Sequence, residues 1–392
     1  MAPGLREATA ADLATWDARA VDGPGGSVWQ SRAWGEHAAR VGWRVRHLAF
    51  DDGLPLLVLH RPWALVPGGS AYLPRGPVPA GEPAARTAER LAAAADHLAT
   101  AGIDVVASDA EVPVETGYAA LLAAAGFRPI DEIHPSRHRM TVRLAGVDGT
   151  IGEADAWGGI AKTTRQRLGS ARRRGLVVRR FDGRLGGGDD AARDDGHVAT
   201  APTAVREIAA AAALGPFHAL LVETGARRGF TIGARDGSVA WWLAAMGAGH
   251  LVYLEVRDVP PRWTSGAPDG ALLGGAIFFR HGDRLTYGHS GDRQELRAEH
   301  PGVVHLILWE AMRIALAEGR AELDLGGVDV AGAREIPAAG DPMRGLYEFK
   351  EAFGGRWLDL AGAHERVARP RRYAAGRATS AAARLARGLR RG

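Results

Sequence analysis

The segment AARTAERLAAAADHLATAGIDVVASD, residues 84–109, runs a helix straight into a strand. Ala, Leu and Arg cost little in a helix, so the first part propagates one, and Gly102 can take the left-handed conformation that ends it. IDVVASD, residues 103–109, then reads as a short buried strand. Upstream, DGLPLLVLHRPWALVPGGSAYLPRGPV (52–78) alternates short apolar runs with Pro and Gly, the pattern of strands and tight loops. Strand, helix and strand in succession imply an α/β layer. Before it, SVWQSRAWGEHAARVGWRVRH (27–47) gives an entry turn and an amphipathic helix with Trp34, Ala38 and Val41 on one face, ended by Gly42. After it, TGYAALLAAAGFRPI (116–130) is a further helix and strand, and RHRMTVRL (137–144) completes the unit near residue 145.

At 392 residues the chain is too long for one ordinary core and suits two domains. The remaining elements echo the first set. AWGGIAKTTRQRLGSARRRGLVVRRF (156–181) is a basic helix running into a strand, and the Gly- and Asp-rich stretch 182–200 is a loop. AVREIAAAAA (204–213) and FHALLVETGARRGF (217–230) read as two helices, HLVYLEV (250–256) and ALLGGAIFFRHGDRLTYGHS (271–290) as strands, and VVHLILWEAMRIALAEG (303–319) as a long helix stopped by Gly319. No short-period repeat is visible, so the echo is one of fold. ERVARPRRYAAGRATSAAARLARGLRRG (365–392) is a basic tail that continues as a helix suited to phosphate backbones or anionic lipid surfaces, or else a solvated terminus.

Apolar residues make up 46% of the chain and charged residues 24%, which describes a globular protein rather than a disordered one. There is no Cys, so thiolate catalysis, disulfides and cysteine-ligated zinc are excluded together. The opening MAPGLREATA lacks the basic and apolar regions of a secretory signal, and no run reads as a membrane span, so the cytoplasm is the expected location. Positive charge is almost entirely arginine: Lys162 and Lys350 are the only lysines. In so arginine-rich a background, a retained lysine is there either for its compact, titratable ammonium or by chance.

Five segments carry candidate chemistry. QRLGSA (166–171) fits the Q-x-x-G-x-G/A pattern of acetyl-CoA-binding acetyltransferases, but a pyrophosphate loop needs free N–H groups at a strand-to-helix junction, and this segment falls inside a helix. The same helix sets Arg165, Gln166, Arg172 and Arg173 at spacings that share a face; that face suits phosphates, or is a solvated surface. GLYEFKEAFGGRW (345–357) surrounds Lys350 with Tyr347, Phe349, Phe353 and Trp357 beside the Gly354–Gly355 pair. Such a lysine can meet a developing oxyanion or a nucleobase face; the alternative is a lysine snorkelling from an aromatic core strand. ELDLGGVD (322–329) offers Asp324 and Asp329 around a Gly pair, and with no His or Glu cluster beside them turn capping is favoured over metal binding. TYGHSG (286–291) places His289 and Ser290 on opposite faces of a strand, which excludes a Ser/His hydrolase pair.

Taken in order, QSRAWGEHAARVGW, YLPRGPV, TTRQRLGSARRRGLVVRRF, FHALLVETGARRGF, YGHSGD, LWEAMRIALAEG with LDLGGV, and GLYEFKEAFGG resemble the Fem family of aminoacyl-tRNA-dependent transferases that build peptidoglycan cross-bridges. The resemblance runs from about residue 27 to 373. It implies an α/β (α+β) fold of two tandem acetyltransferase-like (GNAT) domains, mixed sheets flanked by helices. The first spans 1–145 and is completed by 357–392; the second spans 146–356. It implies an acceptor cleft for UDP-MurNAc-pentapeptide or lipid II in the first domain, an aminoacyl-tRNA channel in the second, and no cofactor or metal. Residue by residue, Lys350 matches the lysine that stabilises the tetrahedral intermediate and Phe349 the aromatic beside it. Asp109 matches an acidic residue near the acceptor amine, and Arg227 a basic residue at acceptor phosphate. His37 and His289 stand where a relative has Lys and Tyr, and Tyr287 joins the substrate-binding set. Two other functions fit the same fold: an acyl-CoA-dependent N-acyltransferase, and a tRNA-dependent peptide ligase of natural-product biosynthesis.

Overall fold

In a computed structural model of the chain, the described residues are 3–77, 81–133, 137–146, 149–184, 198–200, 206–258, 270–328 and 333–389. They divide into two compact units: Met1–His138 with Asp329–Ile336 and Leu358–Gly392, and Arg139–Val328 with Pro337–Trp357.

The first unit is built on a seven-stranded mixed sheet of order β1-β2-β3-β4-β5-β17-β6. Its strands are β1 Leu5–Glu7, β2 Arg44–Phe50, β3 Pro55–Pro62, β4 Gly69–Leu73, β5 Val105–Ser108, β6 Arg128–Pro129 and β17 His364–Val367. Short helices α1 Ala10–Ala14 and α2 Trp16–Ala20 lead to α3 Arg32–Arg40, then α4 Ala84–Thr100 and α5 Tyr118–Ala124, and α12 Pro370–Leu389 ends the chain. The segment 84–109 behaves as its composition requires: α4 buries Ala88, Leu91, Ala94, Ala95 and Leu98 against Leu48, Phe50, Leu56 and Val58, and carries the chain from β4 to β5, which pair in parallel. α3 starts where the Ser31 hydroxyl accepts the Trp34 N–H at 3.0 Å, and its exit uses Gly42 at φ +91°. Val41 lies beyond the last helical residue and is 54% exposed, so it leaves the apolar face that Ala38 buries. In the C-terminal segment, β17 inserts between β5 and β6 of the first unit, antiparallel to both. α12 follows it, with Arg369 donating to the carbonyls of Ile103 and Ala99.

The second unit holds an eight-stranded mixed sheet of order β11-β10-β12-β13-β14-β15-β7-β16 and a small ribbon of β8 with β9. The strands are β7 His138–Arg143, β8 Ala145–Gly146, β9 Gly149–Thr150, β10 Val178–Asp182, β11 Val198–Thr200, β12 Leu251–Arg257, β13 Leu272–His281, β14 Arg284–Asp292, β15 Glu322–Asp324 and β16 Arg356–Asp359. The helices are α6 Glu153–Gly159, α7 Lys162–Arg173, α8 Arg206–Arg228, α9 Arg235–Gly247, α10 Val303–Ala317 and α11 Arg344–Glu351. Three features differ from the sequence reading. RHRMTVRL forms β7, and its partner is β15, with Thr141, Val142 and Arg143 opposite Asp324, Leu323 and Glu322. Met140 and Val142 thus enter the second core, a choice of sheet that alternation alone cannot reveal. The two helices read on either side of Gly215–Pro216 are one, α8, with Pro216 inside it. The missing N–H costs one bond, and burial of Ala213, Leu214, Phe217, Leu220 and Leu221 offsets it. α8 is also long and apolar enough by composition to cross a bilayer, contrary to the expectation of no such run, yet 61% of that window is buried as a core helix. Of the loop read at 182–200, residues 185–197 lie outside the described residues.

Candidate functional site

In the second unit, GLYEFKEAFGG forms the helix α11 and its exit turn rather than a strand. The Lys350 carbonyl accepts the N–H groups of Phe353 and Gly355, both at 3.1 Å, which closes the helix. Gly354 takes φ +86° there, and a side chain at Gly355 would sit 2.7 Å from the Lys350 carbonyl, so both glycines are required by the turn. Lys350 itself is 4% exposed, and its Nζ donates to the Gly327 carbonyl.

That carbonyl is aimed by the turn after β15. Asp324 Oδ1 accepts the Gly326 N–H at 2.8 Å, Gly326 takes φ +71°, and the Gly326 carbonyl in turn accepts the Met140 N–H at 3.0 Å. The capping role expected for Asp324 is what the structure shows. Thr286 and Arg139 also face Asp324, at 3.4 and 3.7 Å. Asp329 lies outside the described residues.

The remaining candidate residues of this unit have partners of their own. Tyr287, on β14, is close: a Cβ on Gly326 would lie 3.4 Å from the Tyr287 carbonyl and 3.8 Å from Lys350 Nζ. Phe349 turns away from Lys350 by one helical step and packs edge-on against His305 at 5.1 Å and Phe353 at 5.5 Å. His305 is neutral, because burial and then the Arg167 guanidinium hold its pKa down to about 4. Arg227, exposed on α8, donates to the Asp292 carbonyl at 3.0 Å, at the end of β14, whereas His289 turns toward the Trp242 ring, 6.2 Å away.

In the first unit, Asp109 is 2% exposed and held on several sides. The Tyr72 hydroxyl lies 3.0 Å from both carboxylate oxygens, the Arg75 N–H donates to Oδ1 at 2.8 Å, and Arg75 Nε is 3.5 Å from Oδ2. Burial, reinforced by the carboxylate beside it, pushes the Tyr72 phenol well above the usual tyrosine range, so it stays protonated and donates. Arg75 is the one described non-glycine residue at positive φ, +53°, a conformation that its N–H bond to Asp109 holds in place. Ser108 completes the turn by donating to the Gly76 carbonyl at 2.6 Å. A narrow cavity beside it is lined by Arg75, Gly76, Pro77, Gln30 and Gly26. His37 lies on α3 with its ring stacked on Trp34 at 5.2 Å.

Tyr72 and Arg75 were not singled out by sequence reasoning, although the signal existed: LPRGP puts a charged residue between two turn-forming prolines.

No protein-family profile matches the chain, and no curated protein matches it in sequence. Comparison of folds is more informative. A crystal structure of FemX matches over 94% of this chain and 98% of that one, with a TM-score of 0.69 at 17% identity. The chain has the FemX fold. Its two mixed sheets flanked by helices bear out the tandem acetyltransferase-like architecture expected from sequence. Two weaker matches accompany FemX. The C-terminal domain of a putative lysylphosphatidylglycerol synthetase from Agrobacterium fabrum reaches a TM-score of 0.49 at 14% identity, over 96% of this chain and 95% of that one. A tandem GNAT protein from the clavulanic acid biosynthesis pathway reaches 0.43 at 13% identity, over 93% and 98%.

Proposed function

We propose that this chain is an aminoacyltransferase that moves an aminoacyl group from a charged tRNA to an amine of a peptidoglycan precursor, UDP-MurNAc-pentapeptide or lipid II. The observation that carries the reading is Lys350: one of two lysines in the chain, buried at the end of α11 with its ammonium on a backbone carbonyl, in a molecule with the FemX fold.

The reaction asks little of the protein, since the ester is already activated. The acceptor nitrogen attacks the ester carbonyl carbon, a C–N bond forms, the C–O bond to the ribose breaks, and the proton leaving the amine ends on the ribose oxygen. What must be supplied is orientation and a donor for the tetrahedral oxyanion. Lys350 is the donor in this reading: the oxyanion takes the place of the Gly327 carbonyl at Nζ, and a buried ammonium acts more strongly there than one in water. Tyr287, beside the same turn, and Phe349, on the same helix, are assigned to the donor end.

Asp109 is assigned to the acceptor amine. Its carboxylate is already engaged by Tyr72 and Arg75, so its part is to fix the 73–77 turn that orients the amine. Arg227, His37 and His289 are assigned to acceptor phosphates.

The test is direct. Mixed charged tRNAs are incubated with the protein and with UDP-MurNAc-pentapeptide or lipid II, and products are weighed by mass spectrometry. One aminoacyl increment on the acceptor is expected; acceptors of unchanged mass throughout the panel overturn the reading.

A further inference from the structure

α7 presents a cationic face that the site described above does not use. In this 12-residue helix, Thr164, Leu168 and Ala171 are buried in the second core, and Lys162, Gln166, Arg167 and Arg173 are exposed on the other side. At about 100° per residue, positions 162, 166 and 173 fall within about 40° of one another, and 167 stands about 100° further round. Not one residue from 162 to 173 is acidic. Among the described residues, Lys162, Arg167 and Arg173 enter no ion pair. With no acidic residue among them, these exposed cations give the solvent side of α7 a positive potential that attracts counter-charge from outside.

Its position gives that counter-charge an address. The residue before the helix, Ala161, donates its N–H to the Ala352 carbonyl at 2.8 Å, directly after α11, the helix that carries Lys350. The cationic track therefore begins next to the Lys350 segment and is about 18 Å long at 1.5 Å per residue. A single phosphate does not need that length; a polyanion does.

We infer that the exposed face of α7 binds the phosphate backbone of the RNA whose 3′ end reaches Lys350. This rests on the function proposed above and adds the surface that holds the donor. A lipid surface fits less well. Interfacial helices set apolar side chains beside their cations for insertion, and here Thr163, Gln166 and Ser170 stand between them, all hydrogen-bonding groups.

The test compares the wild-type chain with the triple variant Lys162→Gln, Arg167→Gln, Arg173→Gln, which leaves the buried side of α7 intact, and with Arg32→Gln, Arg40→Gln, Arg44→Gln as a charge-matched control on the first unit. Affinity for fluorescently labelled, unacylated tRNA is measured by anisotropy from 50 to 300 mM salt, with circular dichroism to confirm folding. Three lost phosphate contacts make the slope of log K against log salt shallower by about 2 to 3. The control is expected to keep the wild-type slope. Equal slopes for wild type and triple variant overturn the inference and leave the function standing, whereas a wild-type chain that binds no tRNA overturns both. A control that loses as much slope as the triple variant reduces the effect to net charge and overturns the inference. So does a triple variant that keeps its tRNA affinity and loses binding to phosphatidylglycerol vesicles.

Discussion

Lys350→Met separates two parts that a buried lysine can play. Methionine has nearly the same length and fills the same space, so the substitution removes the ammonium and little else. In the folded molecule it strands the Gly327 carbonyl that Nζ now serves, in a place where Lys350 is 4% exposed. An unsatisfied buried acceptor costs about 1–3 kcal/mol, partly offset because a buried charge is no longer desolvated. If Lys350 only pins the turn after β15 to α11, that loss of stability is the whole effect. If it also stabilises the oxyanion, the chemical step falls by about 100- to 1000-fold, or roughly 2.7–4 kcal/mol. The assay is single-turnover transfer with saturating aminoacyl-tRNA, run well below the unfolding transition and normalised to the folded fraction from circular dichroism. Loss confined to the rate constant, with tRNA affinity unchanged, is the signature of an interaction made in the transition state. A folded variant that transfers at the wild-type rate refutes the assignment, whatever its stability.

Three further outcomes are expected. Asp109→Asn turns an acceptor into a donor against the Tyr72 hydroxyl or the Arg75 guanidinium; the loss of one charge-assisted bond costs about 1.5–3 kcal/mol of stability, and with the 73–77 turn loosened the acceptor KM rises while the KM for aminoacyl-tRNA stays, as initial-rate kinetics will show. His305, held down to about 4 by burial and then by Arg167, contributes stability that is complete above the ordinary histidine range near 6.5 and is lost as pH falls from there toward 4. Urea titrations of His305→Gln should therefore lose about 3 kcal/mol less than wild type between pH 7 and pH 4, and parallel losses would contradict the burial of that ring. Isothermal titration with acetyl-CoA should give no binding heat.

Elements that depend on local chemistry were legible in the sequence. α4 and β5 follow from an alanine-leucine run, a stop glycine and a β-branched strand, and the hairpin of β13 and β14 turns at Gly282 as ALLGGAIFFRHGDRLTYGHS suggests. The glycines beside Lys350 were legible as a turn, and Asp324 as the cap of the separate turn after β15. What failed was whatever depends on a distant partner. β7 reads the same whichever sheet it joins, and only its register against β15 decides. The Gly215–Pro216 pair is a sound local argument for a break, overridden because both flanks of α8 bury apolar side chains in one core. α9, with Trp241 and Trp242 buried, received no assignment from the sequence. The support of Asp109 was illegible for a similar reason. Tyr72 and Arg75 lie more than thirty residues away, and only pairing of β4 with β5 brings them beside it.

The expected failure of acetyl-CoA to bind follows from what occupies the helix starts. A pyrophosphate held by this kind of fold needs a strand-to-helix junction with open N–H groups. In the second unit β14 leads to α10, whose cap, Gly302, lies so close to α7 that an added Cβ would meet Ala171 at 2.9 Å and the Arg167 carbonyl at 3.1 Å. A carbonyl oxygen and a packed methyl stand where the phosphates would come in. In the first unit β4 leads to α4, where Pro83 caps the helix and Glu82 sits just before it, its carboxylate accepting from Thr87 at 3.3 Å and from Arg90 at 2.8 Å. That helix start already faces an anion. QRLGSA, the one sequence match to a CoA loop, lies inside α7 as its composition implied, and α7 is the element that closes the α10 junction. The residues that mimic a CoA signature therefore help to close the junction between β14 and α10, where free N–H groups would otherwise be open to a pyrophosphate.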